Sequence, residues 1–248
     1  SPNAINQTVE KEPNAMMKRT AKRPVAAGRM SVTEGWAFAI ITGIAGVVTL
    51  GYFFNWLSAG VAAFSLFLYA FVYTPLKKKN AIAVFVGAFP GALPCLIGWT
   101  AGTGMFLPFE TMVVNGVTYS NLGGWILFAI QFLWQFPHFW AIAWVAHKDY
   151  STAGFKLLPS EAGPTKFTAM QTIVYSVLLL PVGILPYTIN MSGTTGIIVV
   201  TLANIFLIVQ CVRLYINMDV ASARRVMFSS YIHLPVVLLA LLADKVTV

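Results

Sequence analysis

Seven membrane-crossing helices in an all-α bundle are specified by three features of this 248-residue chain. Charge is scarce, uncharged runs are long, and the basic residues fall on one side. About 58% of residues are apolar and 10% are charged, against roughly 25% charged in ordinary soluble domains. That excludes a disordered chain, a disulfide scaffold and a soluble single-core enzyme. The formal charge of +8 suits nucleic acid or anionic lipid, and the apolar mass decides for the lipid bilayer and against nucleic acid. Cys95 and Cys211 sit within apolar runs and carry no redox information.

A helix needs about 20 apolar residues to cross the hydrocarbon core. Residues 35–76 hold no Asp, Glu, Lys or Arg, which is room for two helices with a tight turn at Asn55. Residues 80–109 hold one helix and a loop. Residues 111–147 hold a β-prone stretch, Val113 to Tyr119, followed by a helix from Gly123. Residues 167–212 hold two more helices, turning at Asn190–Gly193, and residues 226–243 hold the last. The expected spans are 35–54, 57–75, 81–100, 123–146, 169–188, 194–215 and 226–243, within one transmembrane domain over residues 1–248.

The loops support this count. Lys11, Lys18, Arg19, Lys22, Arg23 and Arg29 precede the first span, and Lys77, Lys78 and Lys79 follow the second. Lys148, Lys156 and Lys166 follow the fourth. Arg213, Arg224 and Arg225 flank the sixth loop. Fifteen of sixteen basic residues thus share a side, with Lys245 opposite. The positive-inside rule makes the crowded side cytoplasmic. Trp36, Trp56, Trp99, Trp125 and Tyr187 lie near span ends, as an aromatic belt does. The chain opens on Ser1 without a signal-peptide pattern, and its polar, helix-like start leads us to expect an N-terminal truncation.

Unusual polar residues gather on the basic side. Asn6, Glu10 and Asn14 recur every four residues, a step that drifts only about 40° around a helix, so they form one stripe. It is either a solvated helix end or a set of oxygen ligands for Mg²⁺, which takes one or two carboxylates with substrate phosphate completing the shell. Glu12 points to the opposite face, and Pro13 breaks or kinks the helix. Lys18, Arg19, Lys22 and Arg23 serve either as a positive-inside anchor or as a counter-charge for a diphosphate. Tyr73 and Lys77, four apart, share a pocket or are an interfacial pair. Pro90-Gly91-Ala92-Leu93-Pro94 interrupts the third span, as backbone lining a cavity does or as a packing kink does. Gln131, Gln135 and His138 share a face of the fourth span, where polar groups point inward or into a wet cavity. His147-Lys148-Asp149-Tyr150 ends that helix. Asp149 is the natural second carboxylate of a metal–diphosphate site or a solvated loop acid. His233 reads as a core histidine. No zinc spacing, phosphate-binding glycine loop or nucleophile triad occurs.

The ordered blocks resemble the UbiA-type intramembrane prenyltransferases. The first is Asn6 to Pro24 with its Met17-Lys-Arg-Thr-x-x-Arg-Pro24 core. Tyr73-Thr-Pro-Leu-Lys77 and Gly87-Ala-Phe-Pro-Gly-Ala-Leu-Pro94 with Gly98-Trp99 follow. The last is Gln135-Phe-Pro-His-Phe-Trp140 through Lys148-Asp-Tyr150, Ala153-Gly154 and Leu158-Pro159. The Pro-His-Phe-Trp block is most similar to the haem-farnesylating branch. The resemblance implies nine helices around a cavity, with the first helix and most of the second lying before Ser1. It implies transfer of a farnesyl group from farnesyl diphosphate to a vinyl group of haem b, with Mg²⁺ as cofactor and haem as substrate. It also implies a bacterial inner membrane, or the mitochondrial one, with the site on the cytoplasmic or matrix side. Haem A synthase or terminal-oxidase assembly factors are the implied partners.

By position, the resemblance implies metal ligation by Glu10, Asn14 and Asp149. It implies catalytic roles for Lys77, Tyr73, Arg19, Arg23 and Asp149. Asn6, His138, Gln135 and Lys148 are the implied substrate contacts. Two departures stand out: Glu10 and Asn14 occupy positions where the family has Asp. Two alternatives remain open at this level, a UbiA-type enzyme acting on a quinone or chlorophyll precursor, and a non-enzymatic transporter or scaffold. No internal repeat of the transporter kind is visible.

Overall fold

The computed structural model describes residues 1–114, 117–160 and 162–246. Asn115 and Gly116 of the β-prone stretch, and Glu161, lie outside the described residues. The chain forms two compact units, Ser1–Gly104 with Ala146–Glu161, and Met105–Val145 with Ala162–Val248. Among the described residues, seven helices are long and apolar enough to cross a membrane.

The first unit opens with α1 (Pro2–Val9) and α2 (Lys11–Met16). The interruption at Glu10 follows from Pro13, whose ring crowds the carbonyl four residues back, at Val9, and which cannot donate to it. Helical bonds still run from Glu10 N to Asn6 O (3.0 Å) and from Asn14 N to Glu10 O (2.9 Å). Next comes α3 (Val32–Phe53), started by a capping box between Ser31 and Glu34. Helix α1 lies on α3 through small residues. A Cβ on Gly35 would meet Thr8 Oγ1 at 2.5 Å, and Ser1 Oγ donates to Ala39 O at 2.9 Å.

Asn55 caps α4 (Trp56–Phe67), accepting from Ser58 N at 2.8 Å. Its amide also donates to Thr100 O at 2.9 Å, tying the start of α4 to the end of α6 (Ala83–Thr103). Between them, a π-helical segment (Leu68–Tyr73) leads into α5 (Thr74–Leu76). The wider turn lets Thr74 N and Thr74 Oγ1 both reach Tyr69 O, so the chain passes Pro75 without ending.

The expected interruption of the third span is corrected: α6 runs unbroken through Pro90 and Pro94. Pro94 has no N–H for Pro90 O, and Ser65 Oγ of α4 donates to that carbonyl instead at 3.2 Å. A neighbouring helix thereby satisfies the backbone group that the proline frees. A second correction concerns His147-Lys148-Asp149-Tyr150. Helix α7 (Leu122–Val145) stops at Val145, and these residues begin a separate helix, α8 (His147–Thr152), after Ala146 leaves helical geometry.

The second unit starts with a hairpin of β1 (Thr111–Val114) and β2 (Val117–Ser120), Thr111 facing Ser120. Around it, Glu110 accepts from Phe106 N and Leu107 N at 2.8 and 2.7 Å. Helices α7, α9 (Lys166–Thr188), α10 (Thr194–Asn217) and α11 (Val220–Ala243) follow. Their shared core includes Ile126, Ile130, Trp144, Leu179, Leu207 and Val237. Arg224 and Arg225 lie inside α11 rather than in a loop before it, because Asp219 caps that helix early, accepting from Ser222 N at 2.7 Å. Asn204 Nδ2 donates to Leu179 O and Asn204 Oδ1 meets His233 Nε2, at 2.9 and 2.8 Å. His233 is thus a packed histidine within the bundle.

Gly183 permits this approach of α9 and α10, since a Cβ there would stand 2.8 Å from Asn204 Nδ2 and 2.9 Å from Val200 Cγ1. Gly183→Ala is expected to lower stability by about 1–3 kcal/mol through overpacking, read as a reduced midpoint of thermal unfolding in detergent.

Candidate functional site

The first unit brings together residues from three stretches of sequence. They are the N-terminal helices with the turn after them, the end of the second span, and the segment after α7. Docking of α1 on α3 aims the stripe of Asn6, Glu10 and Asn14 inward. All three are buried, Glu10 at 5% and Asn14 at 1% exposure. Glu12 is exposed on the other face.

Lys77, 8% exposed, meets this stripe. Its Nζ stands 3.1 Å from Glu10 Oε1, 4.5 Å from the centre of the Tyr73 ring and 5.8 Å from that of Tyr69. An ammonium over aromatic faces gains cation–π attraction. Burial pulls Lys77 below the usual lysine range, and the Glu10 carboxylate pulls it back. Tyr73 reaches this position because Gly87 of α6 has no side chain: a Cβ there would meet the ring at 2.5 Å.

Asn6 Nδ2 donates to Glu10 Oε2 at 2.6 Å. Arg23 Nη1 donates to Asn14 Oδ1 at 3.2 Å and to Asn6 Oδ1 at 3.4 Å. Thr20 Oγ1 donates to Asn14 O at 2.8 Å, folding the basic turn over the stripe. Arg19 Nη2 donates to the Tyr150 hydroxyl at 2.9 Å. Burial pushes the Tyr150 phenol up, opposed by Arg19, so it stays protonated at neutral pH. Met17 packs against Ala153 and Phe155, and Lys156 N donates to Lys77 O at 3.0 Å. These contacts draw the segment after α7 onto the cluster.

Asp149 lies half-buried in the first turn of α8, and Lys148 is exposed beside it. Among the described residues, no group of three or more His, Cys, Asp or Glu side chains could hold a metal ion. The cluster sets Lys77, Arg19 and Arg23 against the single carboxylate of Glu10, which suits an anion with several oxygens.

In the second unit, Gln135 and His138 are buried on α7. Gln135 Nε2 donates to Gln131 O at 3.1 Å. His138 stacks on Trp134, with ring centres 4.4 Å apart, and its Nδ1 meets Ser230 Oγ at 2.8 Å. Ser230 gives its own proton to Met227 O, so it accepts from His138 Nδ1–H.

Tyr69, Tyr150 and Gly87 were absent from the expected site. Tyr69, Tyr73 and Lys77 do carry a four-residue repeat that marks one face. Gly87 and Tyr150 stand in the family-like blocks, but their contacts form only across elements.

The UbiA prenyltransferase family profile matches residues 1–232. The chain is 42% identical to a protoheme IX farnesyltransferase of Cytophaga hutchinsonii, over 99% of this chain and 81% of that protein. It is 40% identical to one of Flavobacterium psychrophilum, over 98% and 77%, and 38% identical to one of Solibacter usitatus, over 98% and 78%. A chain from a structural study of digeranylgeranylglyceryl phosphate synthase in membranes shares the fold. Its TM-score is 0.75 at 21% identity, over 98% of this chain and 80% of that one.

Removing one partner of a buried ion pair leaves an uncompensated charge, at about 3–5 kcal/mol. Glu10→Gln and Lys77→Met are each expected to destabilise on that scale, while the double variant Glu10→Leu with Lys77→Met recovers most of the loss. Thermal unfolding of the four proteins in one detergent checks this, and additive losses would contradict it.

Proposed function

The chain belongs to the UbiA prenyltransferase family, and on that premise we propose that it farnesylates haem b to give haem O. The observation that carries the reading is the cluster of the buried Lys77 and Glu10 with the half-buried Arg23 and the exposed Arg19, a ready counter-charge for diphosphate. The names of the bacterial relatives supply the substrates.

In this reading the diphosphate lies against Lys77, Arg19 and Arg23. As the allylic C–O bond breaks, its electron pair leaves with the diphosphate, and the fixed N–H donors stabilise the growing charge. The terminal vinyl carbon of haem bonds to the allylic carbon. Water adds to the other vinyl carbon and loses a proton, leaving a hydroxyl. Tyr73 and Tyr69 shield the allylic centre with aromatic faces, and the buried surroundings keep water from it before the vinyl group arrives. Within the second unit, we assign His138 and Gln135 of α7 to haem contact. Asn6 orients Glu10, and Lys148 extends the basic surface.

Mg²⁺ fits this cluster in part. The Glu10 carboxylate brings negative charge, and although Lys77 Nζ and Asn6 Nδ2 each engage one of its oxygens, each oxygen keeps a further lone pair. Glu10 and Asp149 would hold the ion, which when bound would screen the negative charge of the diphosphate. Asn14 fits less well, because its oxygen is engaged by Arg23. We place the protein in a bacterial inner membrane with this cluster at the cytoplasmic face, which the one-sided distribution of basic residues supports.

Membranes carrying the full chain, given farnesyl diphosphate and haem b, are expected to form haem O. A different prenylated product, with none from haem, would reject the substrate assignment. Arg23→Ala is expected to lower kcat/KM by about 100-fold, the scale of losing one donor to a developing anion. Excess EDTA is expected to abolish turnover, and activity that survives it would refute the metal role.

A further inference from the structure

Asn6 and Asn14 look alike in the sequence, yet their partners leave them with different free atoms. Arg23 can only donate a hydrogen bond, and an ionised carboxylate can only accept one. Asn6 therefore turns Nδ2 to Glu10 and Oδ1 to Arg23, and both ends are engaged. Asn14 is fixed by the same rule, with Oδ1 toward Arg23 Nη1 at 3.2 Å. Among the described residues its Nδ2 is buried without a hydrogen-bond partner, in a side chain only 1% exposed. Buried donors are almost always paired, and an unpaired one calls for a missing acceptor.

A metal ion cannot supply that acceptor. An amide binds a cation through oxygen, and turning Asn14 to present Oδ1 would break its bond to Arg23 and set the guanidinium against the incoming ion. Thr20 Oγ1 holds the backbone carbonyl of Asn14 at 2.8 Å, which limits movement of the residue away from Arg23. An oxygen of a polyphosphate, by contrast, is an acceptor drawn toward Arg23, whose Nη1 stands 3.2 Å from Asn14 Oδ1.

We propose that Asn14 is a hydrogen-bond donor to a diphosphate oxygen and not a ligand of a divalent metal, so that this chain binds diphosphate through N–H groups before any metal arrives. The proposal rests on reading the cluster as a diphosphate site. An Asp at this position would instead neutralise Arg23 and add a metal-binding carboxylate.

The test uses the full chain in nanodiscs, with inorganic pyrophosphate as probe. Binding is followed by calorimetry in EDTA, and Mn²⁺ uptake by electron paramagnetic resonance with pyrophosphate present. The wild type is expected to bind pyrophosphate without metal. Asn14→Ala is expected to weaken that binding at least fivefold without changing the Mn²⁺ count. Asn14→Asp is expected to weaken it at least tenfold and to take up one more Mn²⁺ per chain than the wild type. Should Asn14→Asp fail to fold, Asn14→Ala alone decides: unchanged metal-free affinity would mean that the amide meets only water, and would overturn the proposal. Equal Mn²⁺ uptake by wild type and Asn14→Asp would overturn it too. Wild-type binding that appears only with Mg²⁺ would overturn the proposal and leave the diphosphate site standing. No binding under either condition would remove the site as well.

Discussion

The ion pair between Lys77 and Glu10 is the constraint around which the first unit is arranged. Two charges are held away from water, 3.1 Å apart, and each would be expensive alone. The surroundings are therefore committed to them. Asn6 takes the second oxygen of the carboxylate, Tyr73 and Tyr69 present ring faces to the ammonium, and Arg23 ties the two asparagines together. The pair also joins the N-terminal stripe to the end of the second span, 67 residues away. An arrangement this costly adds little to stability compared with apolar packing of the same volume. In the proposed function it holds Lys77 at a fixed point where an anion can meet it without reorganisation.

Backbone satisfaction is the second organising demand. Proline is frequent in these helices, and lipid offers no hydrogen bonds. Each solution is local and different. At Pro13 the helix loosens for one residue and resumes in register. Near Pro75 a π-helical stretch lets two donors of Thr74 share Tyr69 O, and such segments often accompany functional sites. At Pro94 a serine from the adjacent helix takes over the freed carbonyl. Small residues do comparable work in packing: Gly35 admits α1, Gly87 admits the Tyr73 ring, and Gly183 admits Asn204. The glycine at 87 bears on the candidate site, because it lets an aromatic face rest beneath Lys77.

The two asparagines illustrate how like residues diverge. Both belong to the same helical stripe and both touch Arg23. One is closed off by a carboxylate, and the other keeps a bare donor. Neither fact follows from their spacing of eight residues.

The number of membrane-crossing helices, their approximate limits, the β-prone stretch and the basic side of the chain all follow from the order of residues. They depend on the transfer of apolar groups out of water and on the period of the helix, which act locally and leave a continuous trace in the sequence. The Asn6, Glu10 and Asn14 stripe was legible for the same reason. What only the tertiary structure decided is which of these meet. That Pro90 and Pro94 leave α6 whole, that Asp149 begins a new helix, and that Tyr69, Gly87 and Tyr150 join the cluster depend on partners far along the chain. Hydrogen bonds and ion pairs act over about 3 Å, so which atoms they join is settled only when packing has brought those atoms within reach.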